Sequence, residues 1–535
     1  MLRERQVDIL EKLIRGESFE WSVLVVDDVG QDIVAPLFRI NELMEMGVVF
    51  CTRVDDDRDK IEEARAIYIV EETKENANII KEDLLEQKYK EVEVIFTGML
   101  SRELFEDLAV AVGRGGECKR VKKVMDGMIR LSVLHSSLYT LNIKDSFMKK
   151  GITSTLVSGL VSLLRGMDAP VLHIDKKYLE LAEEVAKQVQ KIGDRGRKGR
   201  KREAVLIVGR EIDLITPIEH GWTYNALISD VLEYDLNKVT IPEGMARMEQ
   251  VIGVDSTPEK KVFDLNRFDR FWDKNQNEYF QEVAERVEQE LADYKADLAQ
   301  RSIDSSSSKE VISSALSKVP ELAQKNKVIH THMTICLTLV EEIKKAKLDE
   351  VFGLENDTSR VSDIKDELED LLGKIGAEHV LRMCAVLIKR FPNERAYLEE
   401  VAKKKGCSLE LLRFFTQGEE EHSNSGSIVT GAAISLLRNI KRLLPRKKKL
   451  PIEIAVEDVV NGRSTYPTVG IESKQQPLQG GYSAVHVFSI GGGTFTEYKA
   501  LMELGEQLGV EITYGTTEIL SPGKFISAVT SVLKK

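Results

Sequence analysis

Short apolar runs alternate, over the first 125 residues, with segments whose apolar residues recur at helical spacing. The apolar runs predict strands at 23–26, 48–51, 66–70 and 92–96. The helical spacing predicts helices at 2–13, 34–46, 77–86 and 103–112. Strands and helices in alternation are typical of a parallel sheet that helices cover on both faces. The pattern therefore predicts an α/β domain at residues 1–125.

A further apolar run, at residues 204–208, is continuous and rich in β-branched side chains. Such a run is typical of a strand that is buried on both faces of a parallel sheet. Pro217 then marks the start of a new segment, because proline is tolerated early in a helix. From Trp222 onward the apolar residues recur at helical spacing. We therefore expect a sheet domain to pass directly into a helical one within residues 204–239.

Residues 236–415 follow a helical pattern. A narrow apolar seam runs along one charged helix of this region and is formed by Val283, Val287, Leu291, Tyr294 and Leu298. After the polar stretch 304–309, a second helical run continues past Pro320, which is expected to start or kink a helix. The two runs predict a helical hairpin. Its seams either face each other or present a groove to an amphipathic helix of a partner.

The end of the chain returns to the α/β pattern. Strands are predicted at 482–490 and 510–514, and helices at 497–508 and 522–533. The predicted strands of the second sheet stop near residue 236, and the sheet needs further strands. We therefore expect the end of the chain to complete this sheet and the helical region to be an insertion. The predicted division is domain 1 at 1–125, the first part of domain 2 at 126–235, domain 3 at 236–415 and the second part of domain 2 at 416–535.

Composition narrows the class of protein. A chain of 535 residues exceeds a single core, and its net charge of -12 argues against a general nucleic-acid binder. No apolar run approaches the ~18 residues of a membrane span, and the N-terminus has no apolar signal core. The five cysteines form no CxxC pair, so neither zinc nor a disulfide framework is expected. We expect a cytoplasmic protein with reduced thiols.

Three features resemble parts of an active site, and each has a simpler interpretation. Asp27, Asp28 and 55–57 follow apolar strands, where Mg²⁺ commonly binds, but solvated loop carboxylates are the favoured interpretation. Gly491–Gly493 lack the spacing of a phosphate loop, so a close turn is favoured.

The histidines likewise predict no catalytic or metal site. His330 and His332 are two positions apart on a helix and therefore do not share a face. His220, a lone histidine near the junction, is expected to be structural. We expect no enzyme, no cofactor and no metal.

A basic run lies between the predicted strands at 170–174 and 204–208. It contains Arg195, Arg197, Lys198, Arg200, Lys201 and Arg202. Like charges at this density are typical of a mobile loop. The functional alternative is attraction to anionic lipid headgroups, and the same two interpretations apply to 446–449.

The segment 213–232, DLITPIEHGWTYNALISDVL, resembles the signature of the SM family, the Sec/Munc-type syntaxin-binding proteins. We call it the signature segment. Four other stretches carry the same resemblance in the family's order, namely 25–37 (VVDDVGQDIVAPL), 262–272 (VFDLNRFDRFW), 282–294 (EVAERVEQELADY) and 491–498 (GGGTFTEY). Within the family, the chain is most similar to the Sly type, which serves traffic between the ER and the Golgi.

The resemblance implies a fold and a function. The fold would be α/β plus α, an arch of three domains with two parallel-sheet α/β domains and an inserted, mainly helical domain. The protein would be a monomeric regulator of vesicle docking and membrane fusion that binds a syntaxin-type (Qa) SNARE and the assembling SNARE bundle. It would be cytoplasmic and peripheral at ER, Golgi and vesicle membranes through its partners, with tethering complexes among them. Catalysis, cofactors and nucleic acid are not implied.

The resemblance also implies two binding sites. A pocket for the N-terminal peptide of a syntaxin would be formed by the helix at 104–112 and a helix after it, with Leu104, Leu108, Val112, Val121, Val124 and Met125. A SNARE-templating hairpin would be formed by Val287, Leu291, Tyr294, Leu298, Val311, Leu316 and Pro320. Each pocket residue could equally be a core residue.

This chain departs from the family's pattern in three ways. Gly209 stands where an acidic residue commonly precedes the arginine, the hairpin tip is short enough that a regulatory lid is not expected, and the loops are reduced throughout. Three alternatives to an ER-to-Golgi SNARE chaperone stay open. They are an SM protein of another trafficking step, a tethering scaffold without SNARE specificity, and a nucleotide-dependent enzyme, which lacks its phosphate loop.

Overall fold

The structure is a computed structural model of the chain. It describes residues 2–15, 21–115, 119–147, 153–165, 167, 170–192, 203–242, 261–303, 309–357, 361, 365–417, 449–470 and 481–534. For 114–115, 153, 297–303 and 309–321 it describes the backbone alone. The chain divides into two compact units. The first contains 1–212, 451–493 and 500–519, and the second contains 213–450, 494–499 and 520–535. The division at 212/213 falls within the segment where the sequence predicts a junction.

The first sheet of the first unit has five parallel strands in the order β2-β1-β3-β4-β5. Its strands are β1 (Ser22–Val26), β2 (Val48–Arg53), β3 (Ile61–Val70), β4 (Tyr89–Phe96) and β5 (Val121–Asp126). The helices of this part are α1 (Leu2–Arg15), α2 (Asp28–Val34), α3 (Ile40–Glu45), α4 (Lys74–Leu85) and α5 (Arg102–Gly115).

Successive side chains of each central strand enter different cores. Leu24 and Ile67 pack with α1, α2 and α3 on one face of the sheet. Val25 and Tyr68 pack with α4 and α5 on the other face. Because strand side chains alternate between faces, a continuous apolar run is the sequence that buries both. The predicted parallel sheet with two covered faces is confirmed.

Two sequence predictions in this region are wrong. The helix predicted at 34–46 is two helices, because Asp27 caps an earlier start, accepting a hydrogen bond from the Gly30 amide at 2.7 Å. Pro36 follows the end of α2, where a residue without an amide hydrogen does not continue a helix. Residues 121–126 are a strand, not the second helix of the predicted peptide pocket. They pair with β4 in parallel. Because the register shifts between Val121 and Lys123, both valines pack against the same core although they are three residues apart.

The second sheet of the first unit has seven strands in the order β13-β8-β9-β14-β15-β7-β6. These are β6 (Ser132–His135), β7 (Leu138–Thr140), β8 (Val171–Ile174), β9 (Glu203–Gly209), β13 (Thr468–Gly470), β14 (Ala484–Ile490) and β15 (Glu511–Thr516). The helices of this part are α6 (Thr153–Leu164), α7 (Leu179–Ile192), α17 (Pro451–Val460) and α18 (Phe495–Leu508). Strands from before residue 212 and after residue 467 therefore share one sheet. β9 pairs in parallel with β8 and β14, as its apolar run predicts.

The glycine-rich turn after β14 is a close turn. Gly491 and Gly492 have φ values of 93° and 105°, which side chains rarely adopt. A Cβ at Gly493 would lie 2.1 Å from Oη of Tyr514. Ser489 Oγ donates to the Gly492 carbonyl at 2.8 Å and holds the turn against the end of the strand.

The second unit is mainly helical. Its helices are α8 (Tyr224–Val231), α9 (Arg270–Asn275), α10 (Phe280–Ile303), α11 (Lys309–Ala346), α12 (Leu348–Asn356), α13 (Lys365–Leu372), α14 (Ala377–Arg390), α15 (Arg395–Lys404), α16 (Leu409–Phe415) and α19 (Pro522–Leu533). An antiparallel sheet follows α8 and contains β10 (Glu233–Asp235), β11 (Lys238–Ile241) and β12 (Lys261–Asp264). The prediction that 236–415 is helical is thus wrong for its first part, where alternate residues such as Val239 and Ile241 are buried.

Two long helices form the predicted hairpin. α10 has 24 residues and α11 has 38. α11 runs through Pro320, so this proline does not start the helix. In the part of the chain that the structure describes, no helix has an apolar stretch long enough to cross a membrane. The three predicted domain boundaries stay predictions.

Candidate binding surfaces

The first surface lies on α5 and β5. Leu104 and Leu108, two of the predicted pocket residues, are only 5% and 3% exposed and point into the unit. Val112, Val121 and Val124 are half-buried and pack against the core that contains Leu108. Met125, on the opposite face of β5, packs against the other core. The leucines therefore support the surface from below, and the valines are accessible from outside.

An exposed phenylalanine on α5 was missed by the sequence analysis. Phe105 is 50% exposed. Lys74 and Lys81 of α4 pair with Glu103 and Asp107, so α4 covers one flank of α5. At 100° per residue, Phe105 lies on the other flank, together with Ala109 and Val112. The sequence could have indicated this surface, because Phe105 is a large apolar residue that lies next to the buried stripe of Leu104 and Leu108 and is not part of it. We call Phe105, Ala109, Val112, Val121 and Val124 the α5 surface.

The second surface is a groove of about 780 Å³ at the root of the helical hairpin, between α9, α10 and α11. Apolar side chains line it, among them Phe271, Val287 and Ile329. Basic side chains of Arg270, Lys274, Arg286 and Lys325 lie around it, with Glu290. We call this cavity the root groove. Arg286 and Lys325 lie near acidic neighbours, Glu282 at 3.7 Å and Glu290 at 3.6 Å, whereas Arg270 and Lys274 are exposed.

A buried hydrogen-bonded chain fixes the wall of the root groove. His332, which lines the groove, lies 3.0 Å from Asp269 through Nε2 and 2.9 Å from the Tyr224 hydroxyl through Nδ1. Asp269 also accepts from the Trp272 amide at 2.9 Å and so caps α9. Burial raises the pKa of Tyr224 well above its usual range, so its hydroxyl keeps its proton. These hydrogen bonds connect α11 to α8 and α9 and so fix the helices at the wall of the root groove.

His332 is therefore a structural histidine, as its spacing from His330 implies. Among the described residues there is no group of three or more histidine, cysteine, aspartate or glutamate side chains that could hold a metal ion.

The predicted seam on α10 divides into a buried and an open part. Val283 and Val287 are 0% and 2% exposed and belong to the core of the second unit. Leu291 and Tyr294 are half-buried. The remaining predicted hairpin residues, whose side chains lie outside the described part of the chain, are Leu298, Val311, Leu316 and Pro320. The seam thus faces the core at Val283 and Val287 and is accessible at Leu291 and Tyr294.

The aspartates that follow the strands have different roles. Asp27 is 8% exposed, so its interpretation as a solvated loop carboxylate is wrong. It accepts hydrogen bonds from the Gly30 amide, the Glu71 amide and Asn76 Nδ2, all within 2.8 Å. It fastens β1 to β3 and caps α2. Asp28 and Asp55 pair with Arg53 at the surface.

The N-terminus of α18 is occupied by the chain itself. The Glu497 carboxylate accepts from the Thr494 amide at 3.0 Å, and Thr494 Oγ1 accepts from the Glu497 amide at 3.1 Å. This reciprocal pair is a capping box. A phosphate at this helix end would meet a carboxylate, which agrees with the close-turn interpretation of the glycines. The basic run at 195–202 and residues 446–448 lie outside the described residues, so lipid contact there stays a prediction.

Comparison with known proteins identifies relatives along the whole chain. A sequence model of the Sec1 family matches residues 22–528. The SEC1 family transport protein SLY1 of Encephalitozoon cuniculi is 31% identical over 544 residues, with 99% of each chain covered. The human Sec1 family domain-containing protein 1 is 28% identical, with 100% of this chain and 98% of the relative covered. That alignment spans 640 positions against 535 residues here, so the human protein contains insertions.

Solved structures share the fold. The crystal structure of Sly1p in complex with an N-terminal peptide of Sed5p matches with a TM-score of 0.82 at 24% identity, covering 99% of this chain and 98% of that chain. The SM protein Vps45 in complex with the Qa SNARE Tlg2 matches with a TM-score of 0.79 at 20% identity, covering 100% and 98%. At these identities the likeness establishes the fold alone.

The buried and the exposed apolar side chains of α5 are expected to contribute differently to the free energy of unfolding. Leu108→Ala removes a side chain from the core and is expected to lower the free energy of unfolding by about 2–5 kcal/mol. Phe105→Ala removes a half-exposed side chain and is expected to cost less than about 1 kcal/mol. Urea denaturation followed by circular dichroism measures both. Equal losses would contradict the assignment of Phe105 to the surface. A charged residue at position 108 would disrupt folding, so binding tests belong at position 105.

Proposed function

The chain belongs to the Sec1 family, and from that premise we propose that it binds a syntaxin-type SNARE and promotes assembly of SNARE complexes. The step is vesicle docking and membrane fusion in transport from the ER to the Golgi, because SLY1 proteins are among its relatives. The observation that carries the proposal is the root groove, an open apolar cavity with exposed cations that is held by rigid helices. An open apolar cavity of this kind suits a helix of a partner.

The α5 surface is proposed to bind the N-terminal peptide of the SNARE. An aromatic side chain of the peptide would pack against Phe105 and Val112 and the two valines of β5. Leu104 and Leu108 would support this contact from below, and Met125 would stabilise β5 from its opposite face. The solved complex of Sly1p with a Sed5p peptide supports a peptide of this kind as the ligand.

The root groove is proposed to bind an amphipathic SNARE helix. Its apolar lining suits a large apolar anchor, and exposed Arg270 and Lys274 suit acidic residues beside that anchor. Opposite charges at the edge of an interface raise the association rate and suppress wrong partners more than they raise affinity. The groove therefore selects helices with acidic flanks.

The hairpin beyond the groove is proposed to align the SNARE helices. Leu291 and Tyr294 are accessible, and the predicted template continues over Leu298, Val311, Leu316 and Pro320. Val287 contributes at the root, where it lines the groove. Partly disordered chains lose conformational entropy when they zipper, and a surface that holds them side by side offsets part of this cost.

The remaining features of the proposal concern organisation and location. The protein would act as a monomer without catalysis, at the cytoplasmic side of ER, Golgi and vesicle membranes, recruited by its SNARE and by tethering complexes. Its domains would be 1–125, 126–235 with 416–535, and 236–415. The basic run at 195–202 would add contact with anionic lipids.

Binding of syntaxin N-terminal peptides tests the α5 surface. Phe105→Glu is expected to weaken binding at least tenfold, because removal of an aromatic anchor from an interface costs about 2 kcal/mol or more. Leu85→Glu is the matched control, since Leu85 is an apolar residue on α4 that is 58% exposed. Isothermal titration with peptides from each syntaxin-type SNARE of the same cell gives both affinities. Equal effects of the two variants would refute the α5 surface. Binding of no peptide would favour a tethering scaffold.

Charge reversal at the root groove tests the second surface. The double variant Arg270→Glu/Lys274→Glu is expected to slow association with a SNARE cytosolic region at least tenfold at low salt, with a smaller effect at high salt. The control Lys344→Glu changes an exposed lysine elsewhere on α11. Stopped-flow binding measures the rates. Similar rates for the double variant and the wild type would remove the groove from the proposal.

A further inference from the structure

Three ionisable side chains form a continuous buried chain in the second unit. His220 lies in the signature segment before α8, Glu355 lies near the end of α12, and His379 lies in the first turn of α14. His220 Nδ1 is 2.7 Å from Glu355 Oε1, and the His220 amide donates to Glu355 Oε2 at 3.2 Å. His220 Nε2 is 3.0 Å from His379 Nδ1. His220 and Glu355 are 4% exposed, whereas His379 is only half-buried, so the chain leads from the interior to the surface.

The charged groups around this chain are themselves paired. Arg382 on α14 is 0% exposed and binds both carboxylate oxygens of Asp230 on α8, at 2.8 and 2.6 Å. Its Nε donates to the Ile218 carbonyl at 2.7 Å. Glu378 is 4.0 Å from Arg382, and Arg390 donates to the Glu355 carbonyl. The acidic side chains of Glu219 and Asp357 face Arg390. The Arg382 charge is matched by Asp230, and the side chain that hydrogen-bonds to the Glu355 carboxyl is the imidazole of His220.

Two arrangements of protons satisfy every contact in the chain. In the first, Glu355 is a carboxylate that accepts from Nδ1 of His220, and Nε2 of His220 accepts from Nδ1 of His379. In the second, the Glu355 carboxyl donates to Nδ1 of His220, and Nε2 of His220 donates to Nδ1 of His379. The two differ by one proton, which enters at Nε2 of His379. His379 Nδ1 then passes its proton to His220, and His220 Nδ1 passes its proton to Glu355.

We propose that His379, His220 and Glu355 form a proton-operated latch that couples the stability of the second unit to pH near neutrality. The proton reaches the buried carboxyl through the two imidazoles, and its arrival removes a buried negative charge. The latch joins three separate parts of the unit, since the signature segment, α12 and α14 each supply one side chain. Loss of the proton keeps the hydrogen bonds but leaves a buried carboxylate whose charge is not neutralised, and this weakens the connection between the three parts.

The local environment supports the direction of the coupling. Burial raises the pKa of Glu355 to about 8 from an ordinary value of 4.5. Burial, together with the neighbouring His220 and Arg382, lowers the pKa of His379 to about 4. Burial also lowers the pKa of His220 well below its ordinary value. From about pH 4 to about pH 8, the folded protein therefore holds a proton on Glu355 while His379 is neutral. The lowered pKa of His220 favours its neutral form as well.

The sign of the effect on stability follows from these shifts. Glu355 has a raised pKa, so its contribution is largest at low pH and is lost as the pH rises from 4.5 through about 8. The histidines have lowered pKa values, so their contribution is lost as the pH falls below their ordinary value of 6.5. Of the three side chains, only Glu355 changes its contribution to the free energy of unfolding between about pH 6.5 and 8. The unfolding equilibrium constant of the second unit is expected to rise up to roughly tenfold per pH unit there.

Glu355→Gln tests the latch, because glutamine reproduces the protonated state. Its amide nitrogen can donate to His220 Nδ1 while its oxygen accepts from the His220 amide. Two of the three tryptophans, Trp222 and Trp272, lie in the second unit, so a Trp21→Phe background makes fluorescence report this unit alone. Urea denaturation from pH 6.5 to 8 gives the equilibrium constants. Glu350→Gln on α12 is the control, since Glu350 lies at the surface beside Lys347.

The expected result is a pH slope in the parent and in Glu350→Gln that Glu355→Gln lacks. A slope that persists in Glu355→Gln, or a parent without a slope, would overturn the proposal. Nitrogen-15 spectra of the imidazoles give a second readout that needs no variant. Nδ1 of His220 should lack a proton at pH 6.5 and carry one above about pH 8, with His379 changing tautomer in step. Nδ1 of His220 protonated throughout would equally exclude the latch.

Discussion

The buried ion pair between Arg382 and Asp230 is the interaction on which the second unit depends. It withdraws the guanidinium completely from solvent and leaves the carboxylate side chain 6% exposed, and the same guanidinium binds the carbonyl of Ile218. Loss of one partner from such a pair leaves an uncompensated buried charge and typically costs about 3–5 kcal/mol. The signature segment is fixed at two points near this pair. Asp230, on α8, binds Arg382, and His220 hydrogen-bonds to Glu355. Tyr224, on the same short helix, reaches His332 at the root groove. The signature segment therefore holds α8, α12 and α14 together and supports the wall of the proposed binding groove.

The two proposed surfaces both present apolar side chains on a packed support, although different elements form that support. Each offers accessible apolar side chains, namely Phe105 on α5 and the half-buried Phe271 and Val328 at the root groove, where Val287 and Ile329 are buried. A partner can cover the accessible side chains without a large rearrangement of the protein. On α5 the support is a sheet core, and at the root groove it is the hydrogen-bonded chain of His332, Asp269 and Tyr224. Affinity would come from the apolar anchors, and selection among partners from the cations at the groove. The peptide and the helix are proposed to bind separate surfaces, one on each unit.

Much of the fold could be predicted from the sequence. Strands that are buried on both faces have continuous apolar runs, and amphipathic helices have apolar residues that recur at helical spacing. Predictions failed where a local pattern is compatible with two structures. The spacing of the two valines of β5 favours a helix, and a strand accommodates it only through the shift in its pairing with β4, which the sequence does not show. Burial of Leu108 and exposure of Phe105 depend on where α4 packs, which is a tertiary fact. Likewise, the relation of His220 to Glu355 and His379 spans 135 and 159 positions and has no trace in sequence spacing.

Hydrogen–deuterium exchange of the full chain, with and without the cytosolic region of a syntaxin-type SNARE, tests the central claim most directly. The account predicts that the SNARE slows exchange in two places at once, over α5 and β5 and over α9 with the facing parts of α10 and α11. It also predicts that a SNARE without its N-terminal peptide protects only the second place. Protection confined to other parts of the chain, or no change on α5 and at the root groove, would contradict it.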